Sequence, residues 1–240
     1  MTVCRNPGEL LLQALESVRA LADARTRHIV IDGASTDGTP AVLASAASSL
    51  SYWHSRPDGG IYDAMNQGWQ AAPDDAWVIF IGADDRLLGL PTEHELAEFE
   101  REGCTLVFGT TNAGGMPFRS RFGPELRLRN TLHHQSLLIR KSVHPAPPFD
   151  ARWRVYGDWD VNLRLWRSGL RAAFSERLVA EAAPGGASAV QPLAETFAIA
   201  RHHSGSAVAG IAWSMAAGSR TLRGTRRALR RLADRIGIRR

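Results

Sequence analysis

Cysteine is scarce in this chain, lysine scarcer, and long apolar runs are missing altogether. Cys4 and Cys104 are the two cysteines, too few for a disulfide framework and without metal-ligand spacing, so both read as buried thiols. No stretch of about 18 uninterrupted apolar residues occurs, and the N-terminus shows no charged segment leading into an apolar one. A spanning helix and a secretory leader are therefore not expected, and a cytoplasmic location is. Lys141 is the only lysine among 29 basic residues.

What is present is a core-forming chain with an uneven charge. At 240 residues with 44% hydrophobic content, it fits one large domain, or one domain with a tail. The formal charge of +5 is not spread evenly. The segment from Arg220 to Arg240 carries nine arginines against Asp234, or +8, which leaves −3 for the rest of the chain. The body is mildly acidic and the tail strongly cationic, and no nucleic-acid recognition motif accompanies the arginines.

Strand and helix alternate through the first third. Thr2-Val-Cys4 reads as a strand, about 9–22 as a helix with Leu11, Leu12, Leu15 and Val18 at helical spacing, and 28–31 as a buried strand. Pro40 suits the first turn of a helix running to about Ser48. A strand at 52–55, a helix at 61–71 and a strand at 77–81 follow. Beyond Asp85 the pattern predicts a helix at 93–101, strands at 105–109, 136–139 and 172–174, a turn at Gly114-Gly115 and a helix at 158–168. Gly185-Gly186-Ala187-Ser188 marks a flexible loop near the start of the tail. This order predicts an α/β fold with a mostly parallel sheet covered by helices.

Polar clusters stand at the carboxyl ends of the predicted strands, where ligands of such sheets sit. Ile29-Val-Ile-Asp-Gly-Ala-Ser-Thr-Asp-Gly-Thr39 drives a strand into Asp32 and Asp37, whose carboxylates can accept from a base or a ribose or simply build the turn. This loop is neither a Gly-x-Gly-x-x-Gly nor a Gly-x4-Gly-Lys-Ser/Thr cradle, which disfavours dinucleotide dehydrogenases and P-loop enzymes. Asp58-Gly-Gly-Ile-Tyr-Asp-Ala-Met-Asn66 follows, and then Val78-Ile-Phe-Ile-Gly-Ala-Asp-Asp85. Asp84 and Asp85 suit a hard Mg²⁺ or Mn²⁺ ion shared with phosphate oxygens; a helix cap or solvated turn is their ordinary alternative.

These clusters, with Tyr156-Gly-Asp-Trp-Asp-Val-Asn-Leu-Arg164 as a fourth, resemble in order and content the family-two inverting glycosyltransferases of GT-A fold. The likeness is to the branch that builds bacterial surface polysaccharides, and it spans about residues 1–200. The resemblance implies a Rossmann-like GT-A domain and a metal-dependent hexosyltransferase that moves a sugar from a nucleotide-sugar donor to a hydroxyl acceptor. That acceptor would be a lipid-linked or growing cell-surface glycan. It implies that Asp32 contacts the base and that Asp37, Asp58, Tyr62, Asp63, Asn66 and Asp84 line the donor site. Asp85 would be the direct ligand to Mn²⁺ or Mg²⁺, and Asp158 the general base, with Asp160 its neighbouring competitor. His133, His134 and Gln135 would lie beside the acceptor pocket, and His202 or His203 would reach the metal or diphosphate. The chain departs from the family at Arg56, at Gln67 where lysine is common, and at Gly157 where an acidic residue is usual. An inactive nucleotide-binding homologue and a nucleotidyltransferase are the alternatives, the latter weakened by Arg5-Asn-Pro-Gly8, a poor phosphate loop.

The division expected is a GT-A domain at 1–200 and a basic helical tail at 201–240. In that tail Leu222, Thr225, Leu229, Leu232 and Ile236 recur at intervals of three and four among arginines. Such a helix suits an anionic membrane surface, which would place the protein peripherally at the inner face of the cell membrane. A helix docked on its own domain is the ordinary alternative.

Overall fold

The computed structural model describes residues 1–144, 148–183 and 192–235, with the side chains of the last helix described through Thr221. The elements run β1 (Thr2–Cys4), α1 (Leu10–Leu21), β2 (Ile29–Asp32), α2 (Thr39–Ala46), β3 (Tyr52–Ser55), α3 (Ile61–Ala71), β4 (Trp77–Val78), β5 (Ile81–Gly82) and β6 (Arg86–Gly89). They continue as α4 (Glu93–Arg101), β7 (Cys104–Ala113), β8 (Met116–Arg119), β9 (Leu137–Arg140), α5 (Gly157–Arg167), β10 (Arg171–Ala182) and α6 (Leu193–Arg235). Gly185 to Ser188, expected as a loop, and Ile236 lie outside the described residues.

The first sheet is wholly parallel, in the order β3-β2-β1-β5. Its inner strand β2 is apolar on both faces from Ile29 to Ile31 because both are covered. Val30 packs with Leu11, Leu15 and Leu43 from α1 and α2, while its neighbours Ile29 and Ile31 point the other way onto Met65 and Trp69 of α3. That is the period of two expected of a strand. Trp69 lies fully buried and stacks on Phe80 with ring planes 13° apart.

The apolar run at 77–81, expected as one strand, is divided between two sheets. Trp77-Val78 pairs antiparallel with β9, and Ile81-Gly82 pairs parallel with β1. The chain thus crosses from a second, mixed sheet, ordered β4-β9-β7-β10-β6 with β8 on β7, into the parallel one. Asp84 and Asp85 follow at that junction. Parallel pairing therefore describes the first sheet and the β7–β10 pair, while the rest of the second sheet is antiparallel.

α6 is continuous across the division expected at residue 200. Its backbone leaves helical geometry at Gly205, with φ 82° and ψ 170°, a region open essentially to glycine alone. Before that point, Ile199 and Ala200 join the main core, as do Ala209 and Ala212 after it. In its first turn, Glu195 Oε1 accepts the backbone N–H groups of Arg154, Val155 and Tyr156 at 3.1, 2.9 and 2.8 Å. A carboxylate holding three amides fixes the chain that leads into α5. Glu195→Ala is expected to lower unfolding free energy by about 2–3 kcal/mol, because it strands amides that ionic hydrogen bonds had satisfied. A urea midpoint equal to that of the parent protein would contradict this role.

Candidate functional site

The turns after β1 and β2 are laced together. Asn6 donates its backbone N–H to Ser35 Oγ and accepts Thr36 N–H through Oδ1, both at 2.7 Å. Asp37 accepts from Gly8 N–H at 2.9 Å and Thr39 N–H at 3.0 Å, and these bonds hold its carboxyl below the ordinary value. Asp37 thus builds the turn into α2. Asp32 is fully buried. One of its oxygens receives the Cys4 thiol and the Ser35 hydroxyl, the other Ser35 N–H at 3.0 Å and the Ser55 hydroxyl at 2.6 Å. These bonds fix the Asp32 carboxylate within the loop between β2 and α2. The buried Cys4 thiol beside it is pushed up by burial and by the Asp32 charge, in keeping with an inert thiol.

Asp58 accepts Gly60 N–H at 2.9 Å and lies directly over Gly33, which has no Cβ to displace it. Asp63 accepts from Gly59 N–H and Gln67 Nε2 at 2.8 and 3.1 Å. Two residues expected to line the donor pocket do something else. Asn66 is buried and exchanges two hydrogen bonds with the backbone of Phe149, each 2.9 Å. The Tyr62 hydroxyl donates to Val155 O at 2.6 Å, and its ring stacks on Phe149. Both pin the chain ahead of α5. Gly157 completes this clamp, because a Cβ there would come within 2.7–2.9 Å of the Tyr62 ring. The glycine standing where the family has an acidic residue is thus set by Tyr62.

Asp85 is 5% exposed and holds three segments together. Its Oδ2 accepts from Gly82 N–H and Gln135 Nε2, both at 3.0 Å, and its Oδ1 accepts from Ala183 N–H at 3.1 Å. Asp84 is exposed. Burial of part of its carboxyl and the Asp85 charge raise its pKa, a like-charge repulsion that a cation would relieve. The donor set fits a hard divalent ion: Asp84 Oδ1 and Asp85 Oδ2 both approach within 3 Å of the point above Gly82 where a Cβ would stand, and Asp85 Oδ1 retains one acceptor position.

Asp158 opens α5 and is joined to this cluster through one short turn, the 3-10 segment His134–Ser136. Its Oδ2 accepts from Asn130 Nδ2 at 3.0 Å and pairs with His134 Nδ1 at 3.4 Å, while Oδ1 accepts Trp159 N–H at 2.8 Å. His134 therefore meets Asp158 and the next residue, Gln135, meets Asp85. Burial opposes charge on His134, but the Asp158 hydrogen bond and the charges of Asp158, Asp85 and Asp84 outweigh it and raise the imidazole. His133 is turned towards Phe118, with ring centroids 4.6 Å apart. Gln135, expected beside the acceptor pocket, instead reaches Asp85, and Asn130, which had no spacing signal of its own, is revealed by its contact with Asp158 across the fold.

Asp160 lies on the other face of α5. Its side chain is 3% exposed and bonds His203 Nε2 at 2.8 Å and Arg164 Nε at 3.0 Å. Burial pushes its carboxyl up, yet the His203 and Arg164 contacts outweigh that and hold it below the ordinary value. His202 completes a group of three ligand atoms within 4.8 Å. Arg152 lies 3.4 Å from His202, however, and Arg164 already shares the carboxylate, so the group is closed as an ion-pair network. His203 thus ties α6 to α5, His202 rests against Arg152 and Trp153, and the buried, paired Asp160 is removed as a candidate base.

Two outcomes follow for this pair of aspartates. Asp160→Ala should cost about 3 kcal/mol of stability by leaving buried cationic partners, and Asp158→Asn less than half as much; the reverse order in denaturant titrations would overturn the assignment. His134 has a folded pKa above its unfolded value, so its contribution is full below about pH 6.5 and is lost as pH rises through the folded value. His134→Gln should flatten that fall in the urea midpoint between pH 6 and 8, and an unchanged slope would count against the pairing.

Comparison with known proteins bears on the family and the fold. Residues 1–152 match the family model described as Glycosyl transferase family 2. A "PGL/p-HBAD biosynthesis glycosyltransferase" of Mycobacterium bovis is 32% identical over 170 residues, covering 67% of this chain and 66% of the relative. The chain thus spans slightly less than two thirds of that relative's length. Among solved structures, residues 1–349 of Staphylococcus aureus TarS in complex with UDP-GlcNAc superpose with a TM-score of 0.59 at 15% identity, over 82% of this chain and 64% of that TarS chain. The mannosyltransferase PcManGT from Pyrobaculum calidifontis, in complex with GDP-Man and Mn²⁺, gives 0.57 at 18% identity, over 95% and 78%. These likenesses establish the fold as that of the GT-A glycosyltransferases. With a family model that takes in more than half of its residues, the chain belongs to glycosyl transferase family 2.

Proposed function

We propose that the protein is an inverting glycosyltransferase that moves a sugar from a nucleotide-sugar donor to a hydroxyl of a lipid-linked or growing cell-surface glycan. The observation that carries this reading is the His134–Ser136 turn, which holds Asp158 with one residue and the Asp85 cluster with the next. A base and an acidic diphosphate site are thereby held at a fixed separation. The donors named in the TarS and PcManGT complexes, UDP-GlcNAc and GDP-Man, support the donor class, and the mycobacterial relative's name supports glycan synthesis.

Asp84 and Asp85 would hold Mn²⁺ or Mg²⁺. A bound divalent ion supplies charge neutralisation to the departing nucleoside diphosphate. Asp158 accepts the proton of the acceptor hydroxyl as its oxygen bonds to the anomeric carbon from the face opposite the diphosphate. The bond from that carbon to the diphosphate oxygen breaks with its electron pair leaving on the diphosphate. One displacement gives inversion. Asn130 and His134 steady Asp158 throughout.

Thermal unfolding with UDP-, GDP-, dTDP- and CMP-sugars, with and without Mn²⁺, tests the reading. A metal-dependent rise with one nucleotide is expected, equivalent to about 2.7 kcal/mol at a hundredfold excess over Kd. Asp85→Ala should lose that rise. Asp158→Asn should keep it while turnover drops roughly 10²–10⁴-fold. No response to any nucleotide would instead favour an inactive homologue, and full turnover in Asp158→Asn would remove the base.

A further inference from the structure

Beyond Gly205 the last helix packs on the body through Ala209 and Ala212, which are buried. The residues turned away from them are large and apolar. Ile211 is 54% exposed and Met215 45%. Single exposed apolar residues are ordinary, but these continue a pattern. In sequence, positions 211, 215, 218, 222, 225, 229 and 232 follow one another at alternating intervals of four and three, and they hold Ile, Met, Gly, Leu, Thr, Leu and Leu. The backbone is helical from there through Arg235. From 206 to 235 that gives roughly 45 Å of helix at 1.5 Å per residue.

The residues between these positions decide what the stripe meets. From Arg220 to Arg235 the chain has seven arginines and one acid, Asp234, while the remainder of the protein is net acidic. The four-and-three interval is also that of a two-stranded coiled coil. A second copy, however, would bring arginine against arginine along both flanks, and Gly218 and Thr225 would make a poor seam. Among the described residues no helix is long and apolar enough to cross a bilayer. An apolar stripe with a strongly cationic remainder is the pattern of a helix lying in a lipid–water interface.

We infer that the helix from Ser206 to Arg235 docks the protein on an anionic lipid surface, with Ile211 and Met215 entering the acyl boundary and the arginine-rich sequence of its second half supplying the positive charge. Docking does not depend on the transfer reaction and is read without donor or acceptor. If the acceptor is lipid-linked, it would also bring the acceptor's own surface to the enzyme.

Flotation of the full-length protein with phosphatidylcholine vesicles, with and without phosphatidylglycerol, provides the test. Binding to the anionic vesicles should be at least tenfold tighter than to neutral ones and should weaken as salt rises. Ile211→Glu/Met215→Glu, at exposed positions, should retain the parent melting temperature and lose tenfold or more in binding. Arg226→Glu/Arg230→Glu should do the same. The inference is overturned if neither vesicle binds, if both bind equally, or if the Ile211→Glu/Met215→Glu protein binds like the parent. It is overturned in favour of a second copy if light scattering shows a dimer that this variant dissolves while vesicles remain unbound.

Discussion

Asp85 is the interaction on which the site depends. A carboxylate 5% exposed would be costly to bury unless its charge were answered, and here it is answered by three donors from three parts of the chain. Gly82 belongs to the end of the parallel sheet, Gln135 to the turn before β9, and Ala183 to the residue after β10. The junction between the two sheets is thus closed around one negative charge. Because Gln135 follows His134, the same turn that satisfies Asp85 also positions Asp158. Electrostatic satisfaction of a buried acid and placement of a base are one structural event.

A second set of contacts acts on the same base from behind. The chain at 154–157 is gripped by Glu195 through its amides, by the Tyr62 hydroxyl through the Val155 carbonyl, and by the Tyr62 ring against Gly157. Asn66 holds Phe149 just upstream. The first turn of α5 therefore has little freedom to move Asp158. Asp160 anchors the far side of the same helix to α6 through His203, so that two aspartates two residues apart serve opposite ends of one arrangement.

Much of the architecture was legible in the chain itself. The strand at Tyr52–Ser55 and the helices at Ile61–Ala71 and Glu93–Arg101 have the observed bounds, because their apolar periodicity is strong and their ends carry Gly, Pro or a Thr cap. The strand expected at 77–81 was legible only as an apolar run. Which sheet each half joins depends on partners at Thr2 and Ile139, far away in sequence. The same holds for β10, expected over three residues and observed from Arg171 to Ala182, since β7 and β6 on either side extend a segment whose own pattern is weak.

Sequence by itself determined where the acidic clusters stand, at strand ends and at the start of a helix, because hydrophobic period and turn chemistry are local properties. It did not determine which acids face a ligand. Asp32, Asp85, Asp158 and Asp160 are alike as residues, and only the folded chain separates them. It surrounds Asp32 with four donors, ties Asp85 to three, leaves Asp158 14% exposed beside His134, and seals Asp160 between Arg164 and His203. The role of a carboxylate is set by the donors and charges within a few ångströms of it, and those arrive from parts of the chain that no local pattern connects.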